Sequence, residues 1–85
     1  MLLLAALAAW LTIQPDRIAH VETPSQVVVV VAPKSCAVRE VRVEITVQRK
    51  GGTDTMQELR GVRCKPVVFR FPAGGQVVGV MGWER

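Results

Sequence analysis

The sequence predicts a mainly β protein: a small antiparallel sandwich or barrel of five or six strands, preceded by a short apolar helix. Two observations favour strands. Sixteen of the 85 residues are Val, which is β-branched and suits a pleated sheet. Short turns rich in Gly and Pro also separate several apolar stretches, as in small antiparallel folds. An immunoglobulin-like topology is compatible with this pattern.

The predicted helix lies in the opening stretch, MLLLAALAAWLTI, which has no charged side chain and no polar face. Leu and Ala favour a helix, and Pro15 would end it. Three interpretations stay open: a secretory leader without the usual basic start, a membrane anchor only about 20 Å long, or a helix packed inside an assembly. A helix that is apolar all round must be buried in protein or lipid. The residues expected to dock on a partner or a membrane are Leu3, Leu4, Leu7, Trp10 and Leu11.

The chain is long enough for one domain at most, and its composition divides it into three parts. Residues 1–13 form the apolar segment. Residues 14–26 predict a linker, because Pro15 and Pro24 interrupt periodic structure, although Ile18 and Val21 could add a short strand. Residues 27–85 form the predicted β domain.

The centre of the chain gives the clearest strand pattern. In VRVEITVQRK, residues 41–50, apolar and polar side chains alternate, which indicates a half-buried strand. Gly51 and Gly52 predict a tight hairpin turn after it. The return strand, residues 55–64, is mostly polar and is therefore expected at a sheet edge.

Three further stretches predict strands. Residues 27–31 are all Val, which is typical of a strand buried on both faces. Residues 67–71 and 76–83 are separated by a Pro-Ala-Gly-Gly turn. We expect these two strands to pair directly, with Phe69 opposite Val78.

Cys36 and Cys64 are the only cysteines, and both flank strands of the central hairpin. Their placement predicts a disulfide across its open end, which requires an oxidising compartment. The expected location is therefore extracytoplasmic: secreted, at the cell surface, periplasmic or membrane-associated, with a virion as a further setting. Two reduced thiols are the alternative.

The net charge is +4, and its excess lies in the second half of the chain. Residues 59–83 contain no acid and four cations, which define a candidate face for an anionic ligand: Arg60, Arg63, Lys65 and Arg70. A solvated strand face is the alternative. Nucleic acid is not the expected partner, since the chain has no Tyr and only two Phe for base stacking.

The sequence shows no motif for catalysis, so no enzyme, cofactor or small-molecule substrate is expected. Two cysteines and one His do not provide a zinc site, and His20 has no evident catalytic partner. The leading expectation is a non-enzymatic structural subunit of a multi-chain assembly, such as a surface filament, virion or envelope complex. Its apolar segment would dock into protein subunits or a membrane. The alternative is a secreted β-sandwich that binds an anionic ligand through the basic face.

Overall fold

The computed structural model describes residues 9–85, which form two antiparallel sheets packed face to face. One sheet has the strand order β1-β7-β4-β5 and the other β2-β3-β6. The strands are β1 (Leu11–Thr12), β2 (Ile18–Glu22), β3 (Gln26–Val31), β4 (Glu40–Arg49), β5 (Gly52–Gly61), β6 (Val67–Pro72) and β7 (Gln76–Glu84). The predicted β class is confirmed, but the described residues form seven strands rather than the expected five or six.

The core lies between the two sheets, and strand alternation builds it. Every second residue of β4 is fully buried, from Val41 to Val47. The facing sheet contributes alternate Val residues of β3, together with Phe69 and Phe71 of β6. The hairpin at Gly51 forms as predicted, and β5 lies at the edge of its sheet.

The predicted N-terminal helix is not found in the described residues. Residues 9–85 contain no α-helix, only a 3₁₀ turn at Pro15–Arg17. Leu11 and Thr12 pair with β7, and the Ile13 N–H donates to the Gly82 carbonyl at 2.8 Å. Ile13 is 2% exposed and belongs to the core, so burial against the sheet outweighs local helix propensity here. The rest of the predicted helix, residues 1–8, lies outside the described residues.

The expected pairing between the last two strands is wrong. Phe69 of β6 pairs with Val29 of β3, whereas Val80 of β7 pairs with Ile45 of β4. The turn before β7 therefore carries the chain from one sheet to the other. Gly75 is required in this crossover, because a Cβ there would lie 2.3 Å from the Gln48 carbonyl oxygen.

The Val run of β3 is buried on one face only, contrary to the expectation of two. Val27, Val29 and Val31 face the core. Val28 is half-buried and Val30 is 36% exposed, because no described layer covers the outer face of the three-stranded sheet. The stretch predicted as a linker contains β2, which extends this sheet beside β3.

Candidate functional site: an open strand edge above an apolar groove

Strand β7 has one paired side and one largely open side. On the paired side it follows β4 from Glu84 back to Gln76. On the other side β1 covers only Trp83 and Glu84, and Ile13 adds the hydrogen bond to Gly82. No described strand pairs with this side of β7 between Gln76 and Met81. Apart from the Val77 N–H, which donates to the Glu22 carboxylate, backbone groups along this stretch are therefore available to a further strand.

The open edge carries no charge. Residues 77–83 contain no Asp, Glu, Lys or Arg, and Val78 and Met81 are 55% and 49% exposed. The opposite edge strand, β5, is built differently. Glu58 and Arg60 form an ion pair of 2.6 Å along it. Charged residues are a common protection of sheet edges against unwanted pairing, and β5 has such residues whereas residues 77–83 of β7 do not.

An apolar groove runs beneath the open edge, between β7 and the edge strand β2 of the other sheet. It encloses about 440 Å³. Its floor includes Ile13 and Ile18, and both side chains approach Gly82 so closely that a Cβ there would lie 3.1–3.2 Å from them. The remaining lining residues are Thr12, Gln14, Pro15, His20, Val77, Val78, Gly79, Val80 and Met81.

Two polar side chains of β2 stand at the groove. The Glu22 carboxylate accepts a hydrogen bond from the Val77 N–H at 3.2 Å, which covers one donor of the open edge. His20 Nε2 lies 4.0 Å from the same carboxylate. The groove is otherwise mostly apolar, so it suits apolar side chains that enter from an added strand.

A buried ion pair fixes the closed end of this edge. Glu84 is 2% exposed and accepts two hydrogen bonds from the Arg17 guanidinium, at 2.6 and 3.0 Å. It also accepts one from the Lys34 N–H at 3.1 Å. The hydrogen bond from Arg17 lowers the pKa of Glu84 below its ordinary value despite burial, which acts in the opposite direction. The pair ties β7 to the turn that leads into β2.

The chain enters this region through a stack of aromatic and cationic side chains. The Arg42 guanidinium lies 5.0 Å from the Trp10 ring and 4.6 Å from the Trp83 ring. Arg85 lies over Trp10 at 4.2 Å. Of the predicted docking residues, Trp10 is thus half-buried against this chain, while Leu11 in β1 is 55% exposed. Leu3, Leu4 and Leu7 lie outside the described residues.

The structure separates the four predicted basic residues. Arg60 bonds Glu58 and lies 5.7 Å from the Phe69 ring. Arg70, in β6, pairs with Val28 and faces outward on the other sheet. Only Arg63 and Lys65 line a common cleft, of about 640 Å³.

Arg39 lines the same cleft. It was not included in the predicted basic face, because it lies more than 20 positions before Arg63 in the chain. The lining of the cleft contains no acid. It is a second, weaker candidate site.

The predicted disulfide between Cys36 and Cys64 is present, with Cα atoms 4.4 Å apart. It joins the loop before β4 to the loop after β5, across the open end of the central hairpin. Such a bond is typical of oxidising compartments, which agrees with the extracytoplasmic expectation.

Sequence reasoning missed the β7 groove itself. One local signal could have indicated it, namely the absence of charge from Val77 to Trp83.

Within residues 9–85 no group of three His, Cys, Asp or Glu side chains is arranged to hold a metal ion. That part of the chain also has no helix with the length and hydropathy needed to cross a membrane. Comparison of the chain with protein-family models, with curated proteins and with solved structures finds no match.

Proposed function

We propose that this protein is a non-enzymatic structural subunit of a multi-chain assembly outside the cytoplasm, such as a surface filament, a virion or an envelope complex. It takes up an extended strand from a protein partner at the open edge of β7. The observation that carries the proposal is this uncharged edge, which lies directly above an apolar groove.

The strand layout supports the proposal. In an immunoglobulin-like sandwich, strands A, B and E share one sheet, and strands C, F and G form the other. Here β2, β3 and β6 correspond to A, B and E, and β4 and β7 correspond to C and F. The position of G, beside F, is the open side of β7. In the described residues β1 and Ile13 fill it only at Gly82–Glu84.

Two kinds of contact would stabilise an added strand. Its backbone would pair with the open donors and acceptors of β7, and its inward side chains would cover the partly buried Ile18, Val77 and Val80 in the groove. Burying one Val- or Leu-sized side chain is worth about 1.5–3 kcal/mol. Two or three such side chains would contribute about 3–9 kcal/mol toward the cost of associating and ordering the added strand.

A charge placed on the edge tests the proposal. Val78→Lys introduces an ammonium group at a 55% exposed position, where it opposes strand addition without entering the core. Leu59→Lys is the matched control, because Leu59 is 50% exposed on the opposite edge strand. In sedimentation velocity, the full chain and Leu59→Lys should form oligomers, whereas Val78→Lys should be monomeric. A Val78→Lys variant that still associates contradicts the proposal, and a monomeric full chain contradicts it for a partner that is a second copy.

The second candidate function is a secreted module that binds an anionic ligand. Its supporting observation is the cleft lined by Arg39, Arg63 and Lys65 without an acid. Arg63→Gln with Lys65→Gln should lower the salt concentration that elutes the protein from heparin, because fewer anionic contacts remain. Arg70→Gln, on the outer face of β6, is the control and should elute like the unaltered chain. Equal elution of all three proteins contradicts this candidate.

A further inference from the structure

We infer that the strand taken up at β7 is the apolar segment of residues 1–8 from a second copy of this chain. The inference rests on the proposed function and identifies the partner. Each copy would then offer a groove to one neighbour and its own segment to another.

The chemistry of the segment matches the groove. Residues 2–8 are all Leu or Ala, without charge or backbone-breaking Pro. The open part of β7, residues 76–81, spans about 20 Å at about 3.3 Å per residue. Eight extended residues cover this length. Exposed Val78 and Met81 provide apolar surface along it.

The path of the chain favours binding of the segment in the groove of a second copy rather than in the groove of its own chain. Leu11 pairs with Glu84 and Thr12 with Trp83, so β1 runs antiparallel to β7. At Ala9 and Trp10 the chain therefore runs past the end of β7 and away from the groove. Trp10, held by Arg42 and Arg85, fixes this exit.

Strand uptake predicts an alternating pattern in the segment. Side chains two residues apart share one face of a strand, so only one set can enter the groove. The odd set contains Leu3 and Leu7, and the even set contains Leu2 and Leu4. In a helix, Leu3 and Leu7 would share a face but Leu2 and Leu4 would not.

The resulting contact joins two different surfaces, so it is heterologous. Such contacts extend into open chains of subunits unless their rotation closes a ring. A variant that lacks either surface would stop the growth of the row of subunits, and this can be tested.

The test uses the full chain in two kinds of variant. The segment variants are Leu3→Asp with Leu7→Asp, and Leu2→Asp with Leu4→Asp. The groove variant is Val78→Lys. Because an unpaired charge is costly to bury, the segment variant whose set enters the groove should associate at least about tenfold more weakly than the other one.

Mixing separates a contact between copies from folding back within one chain. The more impaired segment variant retains its groove, and Val78→Lys retains its segment, so each alone should be monomeric. Their equimolar mixture should form a 1:1 dimer that grows no further, measured by sedimentation velocity with intact-mass identification. A monomeric mixture overturns the inference.

Four other outcomes also count against it. Equal effects of the two segment variants exclude uptake as a strand. If the intact mass of protein from its natural source shows that residues 1–8 are missing, the proposed occupant of the groove does not exist. If Val78→Lys prevents association while both segment variants associate normally, the occupant is wrong but the proposed function stands. If Val78→Lys associates normally, the proposed function itself fails.

Discussion

Loss of the carboxylate of Glu84 should be the most damaging single change of charge in this domain. The side chain is 3% exposed and accepts three hydrogen bonds, two of them from Arg17 and one from the Lys34 N–H. In Glu84→Gln the shape is kept, but Arg17 loses its counter-charge. Removal of one partner of a buried pair costs about 3–5 kcal/mol. Arg17 is 22% exposed and can reach water, so we expect the lower end, about 3 kcal/mol.

This loss is large for so small a domain. A stability of about 0.05–0.15 kcal/mol per residue gives the chain roughly 4–13 kcal/mol in total. At about 4–8 °C per kcal/mol, the thermal midpoint of Glu84→Gln should fall by about 12–24 °C. Circular dichroism during heating and urea titration measures both quantities.

Glu40→Gln is the matched control. Glu40 bonds Arg85 at 2.8 Å, but both side chains are about a third exposed, so the pair should contribute less than about 1 kcal/mol. If Glu84→Gln and Glu40→Gln differ by less than about 1 kcal/mol, the role assigned to the buried pair is refuted.

The ion pair between Arg17 and Glu84 also makes the free energy of unfolding depend on pH. The pKa of Glu84 is lower in the folded state than its ordinary value, because Arg17 stabilises the carboxylate. The stabilisation is therefore complete above the unfolded pKa of about 4.3 and disappears as the pH falls through the lower folded pKa. Urea midpoints of the unaltered chain and of Glu84→Gln should converge over this acidic range. Midpoints that stay equally far apart would contradict the linkage.

Two further predictions concern the disulfide and the crossover turn. Cys36→Ser with Cys64→Ser should lower the free energy of unfolding by about 3–4 kcal/mol, since the bond closes a loop of 28 positions; reductant should have the same effect on the unaltered chain and none on the variant. Gly75→Ala should cost about 1–3 kcal/mol, because the added Cβ meets the Gln48 carbonyl, whereas Gly79→Ala should cost less, since its nearest contact is 3.9 Å away. Urea unfolding checks both, and a Gly75→Ala midpoint equal to that of Gly79→Ala would refute the second.

The parts of the fold that the sequence predicted correctly are those determined by residues close together in the chain. The alternation from Val41 to Val47 predicts β4, and Gly51 predicts the turn after it. The disulfide was predictable because Cys36 and Cys64 flank one hairpin. In each case residues close in sequence, or joined by one turn, determine the contact.

The errors concern contacts between distant parts of the chain. Strand β1 has two residues, and its conformation depends on Trp83 and Glu84 more than 70 positions away. The Pro-Ala-Gly-Gly turn resembles a hairpin turn, but the strands on its two sides belong to different sheets. An apolar strand fits either partner, so local pattern does not select between them.

The groove depends on a local feature, the uncharged sequence of β7, and on contacts between distant parts of the chain. The sequence alone did not reveal it because it shows only the first. Its walls come from Ile13 and Ile18 near the start of the chain and from Val77–Gly82 near its other end. The lack of charge in β7 is visible in the sequence, yet it is equally compatible with a buried central strand. Only the sheet order makes it unusual, since β7 is unpaired along most of one side.

The two edges of the four-stranded sheet differ in a way that general stability does not require. A domain of this size would tolerate charges on both edges, and β5 has them at Glu58 and Arg60. On β7 the same protection would prevent a partner strand from entering the groove. The contrast is accounted for if β7 is kept free of charge because a strand binds there. Assembly and protection from aggregation then depend on the same surface, and filling the groove provides both.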